Sequence, residues 1–422
     1  MSKNFKNYFA AVKYLESIFN LPQPDYPTVK KGREIFIKRM KYFLSLLGNP
    51  QNKIKFIHVA GTSGKGSIVN MLQSVLTEAG YRVGQYTSPH PTTTIEKYKV
   101  GHQLINPDDF ARLAEKIKPA VDQCYINSPY GRPSYYEMCT AIAFLYFLEQ
   151  KVDCAVLEVG LGGRLDATNV IPAPLAAVIN RIGLDHTDLL GKKITEIAAE
   201  KSGIIKPGST VFVNGKNSQP VLKVFIKASQ KQKADLHIVK PEKGNDYQSE
   251  NRALVTAIAK HFGVSPVQIQ AGLKKVKTSC RFELIQKNPR VILDGAHNET
   301  KIATVAENLK NLTYEKLYLI IALTNERNAG QIFKKIKNQA DYLYITRYQS
   351  SPKKCQSPLK LAKKLQARGK TKIFLDPKMA LKNSLASAKK NDLILVTGSF
   401  YLAGELRQYW RPEEKILQER KI

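Results

Sequence analysis

Three glycines, a lysine, a threonine and two serines stand together in Gly61-Thr62-Ser63-Gly64-Lys65-Gly66-Ser67. The spacing suits phosphate chemistry. Glycine lets backbone N–H groups approach phosphate oxygens closely, and a following helix adds its positive end. Lys65 can reach a β- or γ-phosphate. The pattern is not the usual GxxxxGK[ST], because Val59 stands five positions before Gly64. A strand-like run before the loop and a helical run after it favour phosphate binding over a structural turn. A second group is acidic. Glu158 lies at the end of DCAVLEV, and Asp166 and Asn169 follow in GLGGRLDATN. A carboxylate at the carboxyl end of a parallel strand, beside a phosphate loop, suits a magnesium ion. A helix cap or a solvated loop acid is the plainer alternative. His186, in GLDHTD after a third strand, is neutral often enough to ligate a metal. Asp294 and His297 follow the run VILD, with Arg281 thirteen residues before Asp294. Such an acid and histidine can reach ribose and base, and such an arginine can clamp phosphate. By composition alone, Lys201 in AAEKSGIIKPG reads as a surface helix lysine.

These groups need a frame that brings distant segments to one edge. The apolar run Ile54–Ala60 predicts a buried parallel strand, and Ile68, Met71, Leu72, Val75 and Leu76 predict a helix over Ser67–Ala79 that stops at Gly80. Strands are expected at Arg82–Tyr86, Asp153–Val159, Ala176–Asn180 and Thr210–Asn214, with helices at Tyr135–Gln150 and Ile194–Lys201. Residues 1–50 read as helices broken at LPQPDYPTVK. A second strand rhythm runs through Val291–Asp294, Leu317–Leu323, Tyr342–Thr346, Lys372–Leu375 and Leu393–Thr397. The fold class is α/β: a P-loop-containing, doubly wound, mostly parallel sheet domain over residues 1–288, then a smaller Rossmann-like α/β domain over 289–422. The length of 422 residues suits two such domains.

Composition narrows the class. With 43% hydrophobic and 24% charged residues, the chain should fold as a globular protein. No apolar run is long enough to span a bilayer, and the first twenty residues read as an amphipathic helix without a signal-peptide core. A cytoplasmic protein without membrane partners is expected. The five cysteines include no CxxC pair, which argues against a zinc site or a disulfide framework. A net charge of +31 raises nucleic-acid binding. The lysines are scattered, however, and no RNA-recognition pattern accompanies them, so no nucleic-acid partner is expected. A positive field also favours encounter with anionic substrates.

Taken in order, HVAGTSGKGS, YTSPH, EVGLGGRLDATNV, GLDHTDLLG, AAEKSGIIKPG, RFELI and LDGAHN resemble the folylpolyglutamate/dihydrofolate synthase branch of the Mur ligase superfamily. The likeness is dense from Leu47 to Asn298 and looser to GSFYLAGEL. It implies an ATP-dependent ligase, a bifunctional synthase that joins L-glutamate to dihydropteroate and/or reduced folates through an acyl phosphate, acting as a monomer. It implies ATP-phosphate contacts from Thr62, Ser63, Gly64, Lys65, Gly66 and Ser67, and further ATP contacts from Asn251, Arg281, Asp294 and His297. Two Mg2+ ions are implied, one at Ser88 and Glu158 and one at His186, with a monovalent cation as a third candidate. Lys201 matches the family lysine that carries a carbamate (N6-carboxylysine) and bridges metal. Lys65, Glu158, His186 and Lys201 would be catalytic. Ser134, Tyr135, Tyr136 and Glu137 match the pterin-binding segment, and Leu165, Asp166 and Ala167 its other wall.

The chain departs from the family pattern at Ser63, where asparagine is usual, and at Tyr136, where phenylalanine is common. Phe36–Met40 replaces a segment that usually starts Gly-Leu, Lys97 stands at a usual arginine, and Cys280 precedes Arg281 where glycine is frequent. A Mur-type ligase acting on another carboxylate, such as a cell-wall precursor, is the alternative. A P-loop ATPase that binds nucleic acid is a remote one, because it leaves Glu158, His186 and the AHN motif without a joint role.

Overall fold

The computed structural model describes residues 5–18, 33–240, 247–325, 327–349, 354–366 and 370–421. LPQPDYPTVK lies outside them. The chain forms two compact units, one of residues 1–88 and 94–276, the other of 89–93 and 277–420.

The first unit is built on an eight-stranded sheet. Its strands are Phe56–Ala60 (β1), Val83–Tyr86 (β2), Tyr98–Val100 (β3), Gln103–Leu104 (β4), Cys154–Glu158 (β5), Ala176–Ile179 (β6), Thr210–Asn214 (β7) and Asp235–Val239 (β8). The order is β4-β3-β2-β5-β1-β6-β7-β8. β2 and β5 to β8 run parallel to β1, and β3 and β4 fold back antiparallel at one edge. Every residue of β1, β2, β5 and β6 is buried. That is expected of strands covered by helices on both faces. Side chains alternate across the sheet. Ile57 and Val59 pack with Ile68, Leu72 and Val75 of helix Lys65–Glu78, while Ala60 packs on the opposite face with Ala177, Ile204 and Val211. Helix Lys65–Glu78 meets helix Pro266–Lys275 through Gly272, where a Cβ would lie 2.5 Å from the Val75 Cα. Ser74 Oγ donates to the Gly272 carbonyl at 2.8 Å across this seam.

The second unit carries a six-stranded sheet ordered β13-β12-β11-β14-β10-β9. Its strands are Glu283–Lys287 (β9), Arg290–Leu293 (β10), Leu317–Ile321 (β11), Tyr342–Ile345 (β12), Lys370–Ile373 (β13) and Leu393–Thr397 (β14). Only β9 is antiparallel to its neighbour.

The boundary expected at 288 falls about a dozen residues earlier, after Val276, because β9 pairs with β10 and is part of the second sheet. The short segment Pro89–Thr93 also belongs to the second unit. A Cβ on Gly404 would lie 1.8 Å from the Pro91 carbonyl oxygen, so helix Phe400–Arg407 can seat that backbone only with glycine there. The buried Arg407 donates from Nη1 to Thr92 Oγ1 at 3.1 Å.

Candidate active site

The loop after β1 is shaped by its glycines. Gly64 has φ 77° and sits immediately before helix Lys65–Glu78. Gly61 has φ 152°, with Asn180 so close that an added Cβ would lie 3.1 Å from the Asn180 Cβ. The loop is braced from the strand beside it. Thr62 N–H donates to the Arg181 carbonyl at 2.9 Å, and the Thr62 hydroxyl lies 3.1 Å from both the carbonyl and the N–H of Gly183. Asn180 Nδ2 reaches the Ser63 carbonyl at 3.1 Å and Asn251 Oδ1 at 2.8 Å. Asn214 Nδ2 in turn donates to Asn180 Oδ1 and Glu250 Oε2. Lys65 Nζ donates to the Gly61 carbonyl at 3.0 Å, so its ammonium lies over its own loop. A helix N-terminus and a lysine thus meet in a glycine loop, the groups that suit an anion.

Glu158 ends β5, the neighbour of β1, in register with Val59. Its buried carboxylate accepts from the Ser88 N–H at 3.3 Å. Ser88 and Glu158 therefore share one place. Their hydroxyl and carboxylate are hard oxygen donors, and magnesium takes few protein ligands, keeping waters and substrate phosphates. The pair fits that ion. His186 follows β6, the other neighbour of β1. It has φ 50°, and its carbonyl caps the short helix Thr187–Leu190. Lys201 is buried in helix Ile194–Ser202. Its backbone lies where a Cβ on Gly163 would come within 3.0 Å, so the GLGGRLDATN loop rests on this turn of helix. Among the described residues no three His, Cys, Asp or Glu side chains form a metal cage. A second ion at His186 would need oxygen from elsewhere, which an unmodified Lys201 ammonium cannot supply.

The segments expected to hold a pterin are tied by two sets of hydrogen bonds, around Asp166 and around Glu137. Tyr136 OH lies 3.3 Å from Asp166 Oδ1, and the Asp166 carboxylate also accepts from the Thr168 N–H, the Thr168 hydroxyl and the Leu161 N–H. Burial raises the Asp166 carboxyl above its ordinary range, and these hydrogen bonds oppose the rise. The Tyr136 ring fills the space a Cβ on Gly160 would need. Ser134 and Glu137 form a capping box at the start of helix Tyr135–Glu149. Glu137 is also paired with Arg39, whose Nε lies 3.0 and 2.9 Å from its two carboxylate oxygens. Glu137 thus anchors the segment through its carboxylate. Arg39 belongs to the stretch that departs from the family pattern. Lys97, another departure, is buried with Nζ 2.9 Å from Tyr135 OH. Ala167 opens the turn Ala167–Val170 and is buried, while Leu165 is partly exposed.

In the second unit, Arg281, Asp294 and His297 come together. Arg281 sits between Cys280 at φ 55° and Phe282 at φ 54°. Two carboxylates hold this unfavourable turn: Glu283 accepts from Cys280 N–H at 2.8 Å, and Asp294 from Phe282 N–H at 2.7 Å. Asp294 also accepts from Ala296 N–H, and burial pushes its carboxyl up to about 6. The Arg281 guanidinium lies 5.6 Å from the Phe400 ring centre. His297 Nδ1 lies 2.7 Å from the Gly295 carbonyl, so Nδ1 carries the proton and Nε2 accepts from Lys301.

Comparisons with known proteins give the family. The Mur ligase middle domain matches residues 59–279, and the Mur ligase glutamate ligase domain matches 280–400. A dihydrofolate synthase/folylpolyglutamate synthase of Bacillus subtilis is 31% identical over 418 residues, covering 90% of this chain and 96% of that one. This chain belongs to the dihydrofolate synthase/folylpolyglutamate synthase family. Among solved structures, the folylpolyglutamate synthase of Thermotoga maritima matches with TM-score 0.80 and 30% identity, over 96% of this chain and 98% of that one. E. coli FolC in complex with DHPP and ADP matches with TM-score 0.81 and 26% identity, over 96% and 98%.

Several residues of this synthase's candidate site escape a reading of sequence alone. Asn180 and Asn214 brace the phosphate loop, and Arg327 donates to the His297 carbonyl at 2.9 Å. A faint signal exists for the asparagines. AAVIN and TVFVN both end an apolar strand with asparagine. Carboxyl ends of parallel strands are where ligands bind.

Proposed function

We propose that this ATP-dependent glutamate ligase accepts both dihydropteroate and reduced folates, uses magnesium, and works as a cytoplasmic monomer. The observation that carries the chemistry is convergence. The phosphate loop, the Ser88–Glu158 pair and the Gly183 turn leading to His186 follow or end three adjacent strands, β1, β5 and β6, at one sheet edge. The substrate carboxylate oxygen attacks the γ-phosphorus of ATP, and the bond to ADP breaks. The loop amides and Lys65 offset the spreading negative charge, and such electrostatic stabilisation supplies most of the acceleration in phosphoryl transfer. The glutamate amine then attacks the acyl phosphate carbon, a proton leaves nitrogen, and phosphate departs as the amide forms. No protein nucleophile is needed, so catalysis is positioning and electrostatics.

Magnesium would be held by Ser88 and Glu158, and a second ion by His186 and Lys201. The ions would add charge neutralisation and alignment of the phosphates. Lys201 suits that place only after its amine takes up CO2 and loses a proton, which turns a buried cation into a carboxylate. Lys201→Ala should lose activity and regain part of it with a small added carboxylate. No rescue, together with an unmodified lysine by intact mass, excludes the carbamate.

The acceptor carries the remaining choice. The buried Asp166 carboxylate supports a pterin, whose ring presents adjacent N–H donors. Glutamate-dependent phosphate release is the test, with dihydropteroate, a reduced folate and a nucleotide-linked cell-wall precursor compared side by side. Release with the first two and not the third is expected. Release with the precursor alone would overturn the reading.

A further inference from the structure

We propose that His58 is a positioning residue for the pterin acceptor, acting through Thr168 to fix the Asp166 carboxylate. The proposal rests on the folate reading above and goes beyond it by naming a residue that touches no substrate. Strand alternation turns His58 away from the phosphate-loop helix, opposite Ile57 and Val59. It is fully buried, with Nε2 2.8 Å from Thr168 Oγ1. Thr168 Oγ1 lies only 2.6 Å from Asp166 Oδ1.

Proton accounting gives the chain a direction. The hydroxyl has one hydrogen, and the short contact to a carboxylate claims it. The proton between His58 and Thr168 must therefore come from Nε2. That leaves Nδ1 a bare lone pair, and Nδ1 is the ring atom with no hydrogen-bond partner. The ring is neutral, since burial and then the charge of Lys206 push it down to about 3. The relay runs His58 N–H to Thr168 O–H to Asp166 Oδ1. Lys206 steadies the same turn from behind, donating to the carbonyls of Asn169 and Ile171.

The relay decides which oxygen meets a ligand. Asp166 Oδ1 accepts from the Thr168 hydroxyl, the Thr168 N–H and Tyr136 OH, whereas Oδ2 accepts from the Leu161 N–H. Three donors saturate Oδ1, so Oδ2 keeps acceptor capacity for pterin N–H groups. A bland core histidine explains less. An imidazole buried with one unpartnered nitrogen is less favourable than an aliphatic side chain of similar size, and its other nitrogen supports only this relay.

The test uses the full chain with His58→Leu, Thr168→Val and His58→Gln. Leucine removes the donor, valine removes the relay, and glutamine keeps an N–H near the Nε2 position. The first two should each raise KM for the pterin acceptor about tenfold, leaving kcat and KM for ATP within about twofold. His58→Gln should stay near the parent, and the double substitution should be no worse than either single one. An unchanged acceptor KM, or an equal rise in KM for ATP, overturns the proposal. Should His58→Leu fail to fold, Thr168→Val carries the same comparison. Nitrogen NMR of the ligand-free chain should show His58 protonated at Nε2 and bare at Nδ1, and the reverse tautomer also overturns it. If the parent ligates glutamate to neither acceptor, the folate reading falls, while the tautomer still decides the relay.

Discussion

Lys65 donates to the Gly61 carbonyl, so its ammonium is held over the loop proposed to take the ATP phosphates. Lys65→Met should therefore fold normally and lose at least about a hundredfold in kcat, the scale expected when a transition-state charge partner is removed. Near-parental turnover would refute its role. Asp294 makes a pH prediction. Its carboxyl is pushed up to about 6 from 3.8. Between those values the folded chain holds a proton that the unfolded chain has lost. Its contribution to stability is thus greatest at acid pH and falls as pH rises through 6. The proposed ribose contact would run the other way, since a hydroxyl would donate to the ionised form. ADP affinity by calorimetry should drop about tenfold per pH unit below 6, and Asp294→Asn should lack that drop. An affinity flat to pH 5 would sink the ribose role. At this scale residue type alone singled out Lys65 and Glu158, and the structure sets them after β1 and at the end of β5, on neighbouring strands. The sequence was silent where geometry assigns the work. His58 and Asn180 look like any polar residue beside an apolar strand, and nothing in the spacing reveals that Glu137 pairs with Arg39, ninety-eight positions away.

Elements were readable in proportion to their burial. β1, β5 and β6 are apolar on both faces and stand within two residues of their expected ends. β8 and β9 were missed because edge strands with wet faces carry residues such as those of Asp235–Val239 and Glu283–Lys287, which read as polar loops. Missing β9 displaced the domain boundary. No spacing rule reveals the seam between helices Lys65–Glu78 and Pro266–Lys275 either, although it holds the helix that presents the phosphate loop. Gly272→Ala would put a methyl 2.5 Å from the Val75 backbone, which cannot yield as a side chain can. The helices must separate, at about 1–3 kcal/mol. A thermal melt should show the midpoint lowered by several degrees, and ATP affinity should fall with it if the seam positions the loop. An unchanged midpoint would mean the packing is looser than the geometry states.

Across the whole molecule, 66 basic residues face 35 acidic ones. Scattered charge of one sign gives a long-range field rather than a single binding groove. Such a field raises encounter rates with anions in proportion to their charge, and salt screens it over about 8–10 Å. The acceptors of this family differ in that respect. Dihydropteroate carries one carboxylate, and each added glutamate leaves one more. The field therefore predicts a graded salt effect. Between about 50 and 300 mM salt, kcat/KM should fall least for dihydropteroate and progressively more for folates with longer glutamate tails, while kcat changes little. A nucleic-acid protein would instead bind duplex or single-stranded nucleic acid with a steep salt slope and would show no dependence on tail length. Equal salt sensitivity for every acceptor would mean that the charge of this synthase does nothing for its substrates. The positive balance would then belong to the solvated surface alone.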